Sequence, residues 1–310
     1  MIALKDENMF GKKANMLIFY MALAIAGFGQ TVSNHLDNTL LWKISGNGLK
    51  EPSYLFGTMH VLCADDATLS DNLKHIIKQC DQIYFELDMD NMSEMLGAMK
   101  YLRMNDGKKL SELLSPEDYA KVENYFKHNP VPLPLTMMNR FKPYFISSLI
   151  GESMMNCPQK NGMEELIMNE SKQYQKEIKG LETTEFQASV FDSIPYEKQA
   201  KDLVNYIDSI DSYKQVTTEM IDVYREQNLE KMDTLMHKSD PGMDEYMDLL
   251  LYSRNRHWVA QMPDIMKDKS ILFAVGAGHL PGDQGVINLL RKKGYKVTPM
   301  KNENRITEAQ

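Results

Sequence analysis

The sequence predicts an α/β fold in which a central mixed β-sheet carries long helical insertions. Three observations predict it. Short apolar runs of strand length, such as Gln82–Leu87 and Ser270–Val275, alternate with longer segments whose apolar residues recur at the helix period. The polar stretch Ser45–Pro52, between Leu40–Ile44 and Ser53–Phe56, reads as a hairpin and so as an antiparallel pair. The closing strand–loop–helix–strand unit from Ser270 to Pro299 has the size of a right-handed parallel crossover.

The chain opens on a segment that stands apart from the fold. Lys12-Lys13 precedes the thirteen-residue apolar run Met16–Phe28, whose second half holds Ala22, Ala24, Ala26 and Gly27, and the sequence then turns polar. This is a secretory signal pattern, too short for a comfortable membrane span. Residues 1–30 are therefore expected to be a signal peptide cleaved near Gly29 or Gln30, with 31–310 as one domain; an uncleaved anchor is the alternative. No Cys follows the apolar run, which disfavours a lipoprotein signal, and no later stretch is apolar enough to span a bilayer. The mature protein is expected to be soluble and exported, periplasmic or secreted.

The remaining elements follow in order. Ser70 caps a helix to Cys80 through Leu73, Ile76 and Ile77. Strand Gln82–Leu87 leads to a Met-rich helix over Asn91–Leu102, most of whose methionines share one face, the mark of a soft core face or an adaptable groove. Ser115-Pro116-Glu117-Asp118 starts a helix to Lys127: a capping Ser, Pro at N1 and acids in the first turn. The Pro-alternating connector 129–134 is stiff and turns the chain within one domain. Helices are expected over Thr136–Met155 and Met163–Lys176, then strand Glu177–Glu182, then helices over Thr184–Phe191, Pro195–Ser209, Ser212–Asn228 and Met243–Met262, the last cut by Pro263. Strand Ser270–Val275, helix Gly285–Lys293 and strand Tyr295–Pro299 close the chain.

Composition removes several functions. With 43 acidic against 35 basic residues the net charge is −8, which argues against nucleic acid as a partner. There is no Gly-rich phosphate loop, no His-Glu-x-x-His helix and no Gly-x-Ser-x-Gly elbow. Of the three cysteines, Cys80 ends a helical pattern and reads as an ordinary buried thiol. Export permits one disulfide; three pairings are open, and Cys63 with Cys157 is preferred, a bridge that braces the loop carrying His60.

Two motifs of equal spacing carry the chemistry: Gly57-Thr58-Met59-His60 and Gly276-Ala277-Gly278-His279, each directly after a strand. Glu86 and Glu182 also lie at strand ends, where ligands of α/β folds gather. Two His and two Glu make a mixed donor set for a divalent ion that activates water and polarises a carbonyl. Each residue also has a plainer reading: the histidines as turn-holders, Glu86 as an edge carboxylate paired with a Lys, Glu182 and Glu164 as helix-start acids. Arg254-Asn255 reads as a solvated helix face or as a pair turned into the cleft to hold a carboxylate or carbonyl.

Taken together, Tyr54-Leu55-Phe56-Gly57-Thr58-Met59-His60, Tyr84-Phe85-Glu86-Leu87-Asp88, Gly180-Leu181-Glu182-Thr183 with Gln187, Arg254-Asn255 before Trp258, and Phe273 through Leu280 with Gly285-Val286 and Gly294-Tyr295 resemble the TraB/GumN family, which includes the Tiki-type metalloproteases. The resemblance spans nearly all of the mature chain. It implies a Tiki/TraB-like α/β core and a metal-dependent hydrolase acting on peptide or protein substrates. Carried onto this sequence, His60, Glu86 and His279 become candidate ligands for Mn, Co or Zn. Glu182 becomes a further ligand or general base, Arg254 and Asn255 face substrate, and Glu164 and Gln187 join the substrate-binding set. The chain ends soon after its last strand, so no anchor of the animal Tiki kind is expected. Two other functions stay open: a non-catalytic protein that sequesters peptides in the same cleft, and a hydrolase of non-peptide esters.

Overall fold

A computed structural model describes residues 38–91, 97, 100–155, 157–239 and 244–303. The expected signal peptide, 1–30, and most of the Met-rich segment 91–102 lie outside them.

The hairpin seeds the sheet. β1 (Leu41–Ser45) pairs antiparallel with β2 (Ser53–Thr58), Trp42 opposite Leu55, and the turn between them places Gly46, Asn47 and Gly48 at positive φ. β7 (Ile271–Gly276) runs parallel between β2 and β4 (Gln82–Leu87), and β6 (Glu177–Glu182) lies parallel outside β4. β8 (Lys296–Pro299) closes the other edge against β1, giving the order β6-β4-β7-β2-β1-β8. The sheet is mixed, and its four parallel strands all end on one rim. The central position of β7 explains its unbroken apolar run: Ile271 to Val275 are each no more than 1 % exposed, buried on both faces.

Helices cover this sheet and build a second core. Leu110, Val122, Met138, Ile146, Ile150 and Leu203 pack together away from the sheet, drawn from the long insertion between β4 and β6 and from helix Tyr196–Asp208. Helix Pro116–His128 starts as its sequence requires, with the Ser115 hydroxyl accepting from the Asp118 N–H.

Several expectations are corrected in detail. The helix expected over 136–155 is two helices, Leu135–Met138 and Pro143–Ser153, because Pro143 suits the first turn of a helix and not its middle. Pro263 does not end its helix, which runs Ser253–Met266. An interior Pro costs about 3 kcal/mol, and burying Met262 and Met266 completely recovers about 1.5–3 kcal/mol each. The last crossover does lead to a parallel strand, but two strands, β2 and β1, lie between β7 and β8. Helix Leu229–Ser239 was not expected although Leu229, Met232, Leu235 and Met236 recur at the helix period, and the two-residue strands β3 (Leu62–Cys63) and β5 (Lys160–Asn161), which pair antiparallel, are too short to show any period.

Candidate active site

The rim where the parallel strands end gathers every candidate residue, in two groups. The first is buried. Glu86 comes from the end of β4, Glu182 from the end of β6, His279 from the 3₁₀ turn after β7, and Arg254 and Asn255 from the start of helix Ser253–Met266. A π-helical turn, Asp248–Tyr252, leads into that helix, a distortion that often accompanies functional sites.

Arg254 holds the group together. Its Nε donates to both Glu182 oxygens at 3.1 Å, and its Nη2 donates to Glu182 Oε2 at 2.8 Å and Glu86 Oε2 at 2.7 Å. Its Nη1 donates to the Leu250 carbonyl and lies 3.4 Å from His279 Nε2. One guanidinium thus neutralises part of the charge of two carboxylates that could not otherwise be buried. Burial pushes the Glu86 carboxyl up, but the imidazole and guanidinium groups facing it, with the Gly276 N–H, outweigh burial and hold it down to about 2. Gln187 Nε2 adds a bond to Glu86 Oε2 at 3.2 Å.

Asn255 sets the tautomer of His279. Its amide nitrogen donates to the carbonyls of Gln284 and His279, so its Oδ1 is left to accept from His279 Nδ1–H at 2.6 Å. Burial drives the His279 pKa down to about 3, so the ring is neutral and its Nε2 carries a lone pair. That nitrogen lies 3.7 Å from Glu86 Oε1. Trp258, one turn after Arg254, packs on the ring at 4.4 Å between centroids and lies beneath the guanidinium.

The second group is open to solvent. The His60 side chain is 70 % exposed, and its Nδ1 lies 2.7 Å from Glu164 Oε1, on a carboxylate that is itself only 8 % exposed. Thr58 donates to the same oxygen at 2.6 Å. The bond to Glu164 pushes the His60 pKa up to about 9. Burial raises the Glu164 pKa, and the bonds from His60 and Thr58 outweigh it and leave the carboxyl below its ordinary value.

The backbone fixes this pair. Met163 N–H bonds the Met59 carbonyl, β3 pairs with β5, and the disulfide Cys63–Cys157 joins the segments at a Cα–Cα distance of 5.8 Å. Cys80 is the buried free thiol. Gly162 is required here, since a Cβ would lie 2.6 Å from the His60 carbonyl oxygen.

Sequence reasoning did not single out Thr58, Trp258 or Tyr224, whose hydroxyl donates to the Gly57 carbonyl. Thr58 lies within the first motif; Trp258 was visible only as a neighbour of Arg254, and Tyr224 had no signal beyond a helix period.

The donors do not fit a resident metal ion in this arrangement. Among the described residues no three His, Cys, Asp or Glu side chains converge on one point. Glu182 and Glu86 Oε2 are engaged by Arg254, and His60 is turned to Glu164. In the buried group His279 Nε2 and Glu86 Oε1 stand 3.7 Å apart, with the Arg254 cation 3.4 Å from that nitrogen.

A family model described as the TraB/PrgY/gumN family matches residues 40–299, which takes in every residue of both groups. The chain belongs to the TraB/PrgY/gumN family. Its similar relatives include metalloprotease TIKI1 of Danio rerio, 22 % identical over 312 residues, and a metalloprotease TIKI homolog of Amphimedon queenslandica, 22 % identical over 323. These matches cover 84 % and 86 % of this chain but only 63 % and 62 % of the relatives. Human metalloprotease TIKI1 is 21 % identical, with 84 % of this chain and 61 % of the relative covered. No solved structure matches. No described helix of this TraB-family chain is long and apolar enough to cross a membrane.

Proposed function

We propose that this TraB-family chain is an exported hydrolase that cleaves peptide or protein substrates at the rim of its parallel strands. The observation that carries the reading is a solvent-facing His60–Glu164 pair set beside a buried, charge-balanced floor of Glu86, Glu182, Arg254 and His279. Export is supported by the signal-like segment 1–30 and by the Cys63–Cys157 bridge, which belongs in an oxidising compartment.

The chemistry follows from the proton positions. Glu164 holds the His60 Nδ1–H, so Nε2 is the nitrogen that meets substrate or water. Neutral at Nε2, it accepts a proton from water as the water oxygen bonds the scissile carbonyl carbon, and the imidazolium so formed, the state favoured below about pH 9, passes that proton to the amine as the C–N bond breaks. The buried carboxylates and Arg254 hold a fixed field beneath the scissile carbonyl, and Asn255 keeps His279 neutral and oriented within it. Arg254 and Asn255 act here by positioning, since both are buried at 7 % and 1 % exposure. The Mn, Co or Zn ion expected from the resemblance, and named only generally in the metalloprotease relatives, enters no step.

The test is cleavage of a peptide library by the purified exported protein, alone, with chelator, and with Mn²⁺, Co²⁺ or Zn²⁺ restored. Cleavage lost in His60→Gln, and moved to lower pH in Glu164→Gln, supports the reading. Chelator resistance assigns the work to the acid–base pair, and chelator sensitivity with restoration requires an ion-bound rearrangement of Arg254. Tight peptide binding with no cleavage in any arm favours sequestration instead, a reading favoured by the complete pairing of Arg254 within the floor.

A further inference from the structure

The outer edge of β6 is the feature that the proposed chemistry leaves unused. Among the described residues no backbone group pairs with β6 on the side away from β4. The N–H and C=O of one strand residue point to the same side, and the sides alternate along the strand. The Gly57 N–H turns to the Leu40 carbonyl on the β1 side, and the alternation followed through the registers of β2, β7 and β4 turns Glu177 and Lys179 toward β4 and leaves Ile178 and Gly180 with their backbone groups outward. Along this edge runs a groove of about 570 Å³, lined by every residue from Glu177 to Thr183.

The groove has a distinct far end. Phe186 is 41 % exposed, one of two large apolar side chains so open among the described residues, and its ring stacks on His257 at 5.8 Å and 28°. Both rings line the same groove. The groove is also continuous with the candidate site, because Glu182 ends β6 and lies in the buried floor.

We propose that an extended peptide binds as a seventh strand on the outer edge of β6, with an apolar side chain seated on the Phe186–His257 pair. The binding mode rests on the peptidase reading for its purpose, though not for its test. Unpaired edge groups supply main-chain bonds that do not depend on peptide sequence, and the aromatic pair supplies preference. Glu182 then places the strand's end beside the buried floor.

Binding is measured by fluorescence anisotropy with the full exported chain and a fluorescein-labelled pool of ten-residue peptides. A matched pool carries N-methyl groups at alternate positions and cannot form a strand ladder. The wild type is expected to bind the first pool and not the second. Ile178→Pro removes one outward N–H and should weaken binding about tenfold, while Ile178→Ala loses the same side chain but keeps the N–H and should not. Phe186→Ser should weaken binding and erase preference for apolar residues.

Equal binding of both pools, no binding of either, or equal effects of Ile178→Pro and Ile178→Ala overturn the proposal. So does a dimer by sedimentation that Ile178→Pro dissociates, which would make a second copy the occupant of the edge. Cleavage of a dipeptide reporter, too short to span the groove, is read in parallel. Its absence with binding intact removes the peptidase reading and leaves the edge site standing.

Discussion

His60 and His279 follow glycines at identical spacing after neighbouring parallel strands, yet the fold drives them to opposite electrostatic states. His60 projects into solvent against a carboxylate and is raised to about 9; His279 is sealed against Trp258 and lowered to about 3. Burial disfavours the charged imidazole, and a bonded carboxylate favours it, so the partner and the solvent decide where the motif does not. The two also oppose each other in stability. His60, raised above its ordinary 6.5, contributes stability that is complete below that value and fades as pH rises through about 9. His279, depressed, contributes stability that is present above 6.5 and fades as pH falls toward 3. Glu86, held near 2, adds to the acid side, losing its contribution as pH falls from its ordinary 4.5.

The largest break strikes the buried half. Arg254→Ala leaves Glu86 and Glu182 buried without their cation, and an uncompensated buried charge costs about 3–5 kcal/mol. Urea unfolding at pH 7 should show that loss, and part should return at lower pH as Glu86 takes up a proton. Arg254→Lys should recover only a fraction, because one ammonium cannot reproduce the forked contacts to two carboxylates. A variant as stable as wild type would mean that the floor rearranges freely.

The exposed half depends on a covalent brace. Replacing Cys63 and Cys157 by Ser opens a bridge across 94 residues of sequence and should cost about 2–4 kcal/mol. The sharper readout is local. The bridge ties the β3–β5 segments that hold His60 against Glu164, so the His60 titration should move below 9 while His279 stays neutral. Imidazole NMR resolves the two rings; a shift in both would mean that the halves are one electrostatic unit.

Glu164→Gln separates the causes more gently. It removes the charge beside His60 and keeps a side chain of the same shape, so the His60 midpoint should fall from about 9 toward 6.5. Any hydrolysis that needs the imidazolium should then lose its alkaline range, seen as a pH–rate profile moved to lower pH. An unmoved midpoint would assign the raised value to Glu86 instead.

The architecture was legible where sequence and surroundings agree. β7 is apolar throughout because it is buried on both faces, and the Ser115-Pro116 start works within its own turn. The strand-end logic also brought His60, Glu86, Glu182 and His279 to one rim. Protonation and partnership were not legible, because they depend on groups distant in sequence: Glu164 lies 104 positions after His60, and Arg254 bonds Glu86 across 168. Glu164 read as a helix-start acid or as part of a substrate-binding set, and not as the partner of His60, for the same reason, that partnership resting on a two-residue strand pair with no periodicity.

The smallest expected effects come from the glycines of the motifs, and they test whether the two loops are equally constrained. A Cβ on Gly57 would lie 3.0 Å from the Ala277 Cβ and 3.1 Å from its Cα, so the first motif packs directly on the backbone of the second. A Cβ on Gly278 would lie 2.8 Å from Met236 Sδ, a flexible thioether that can move aside. Gly57→Ala should therefore cost about 1–3 kcal/mol and disturb both loops, whereas Gly278→Ala should cost less than about 1 kcal/mol. Thermal unfolding ranks the pair, and adding Met236→Ala to Gly278→Ala shows whether the sulfur is what yields. The opposite ranking would place the rigid contact at Met236 and make the His279 loop, not the His60 loop, the fixed reference of the site.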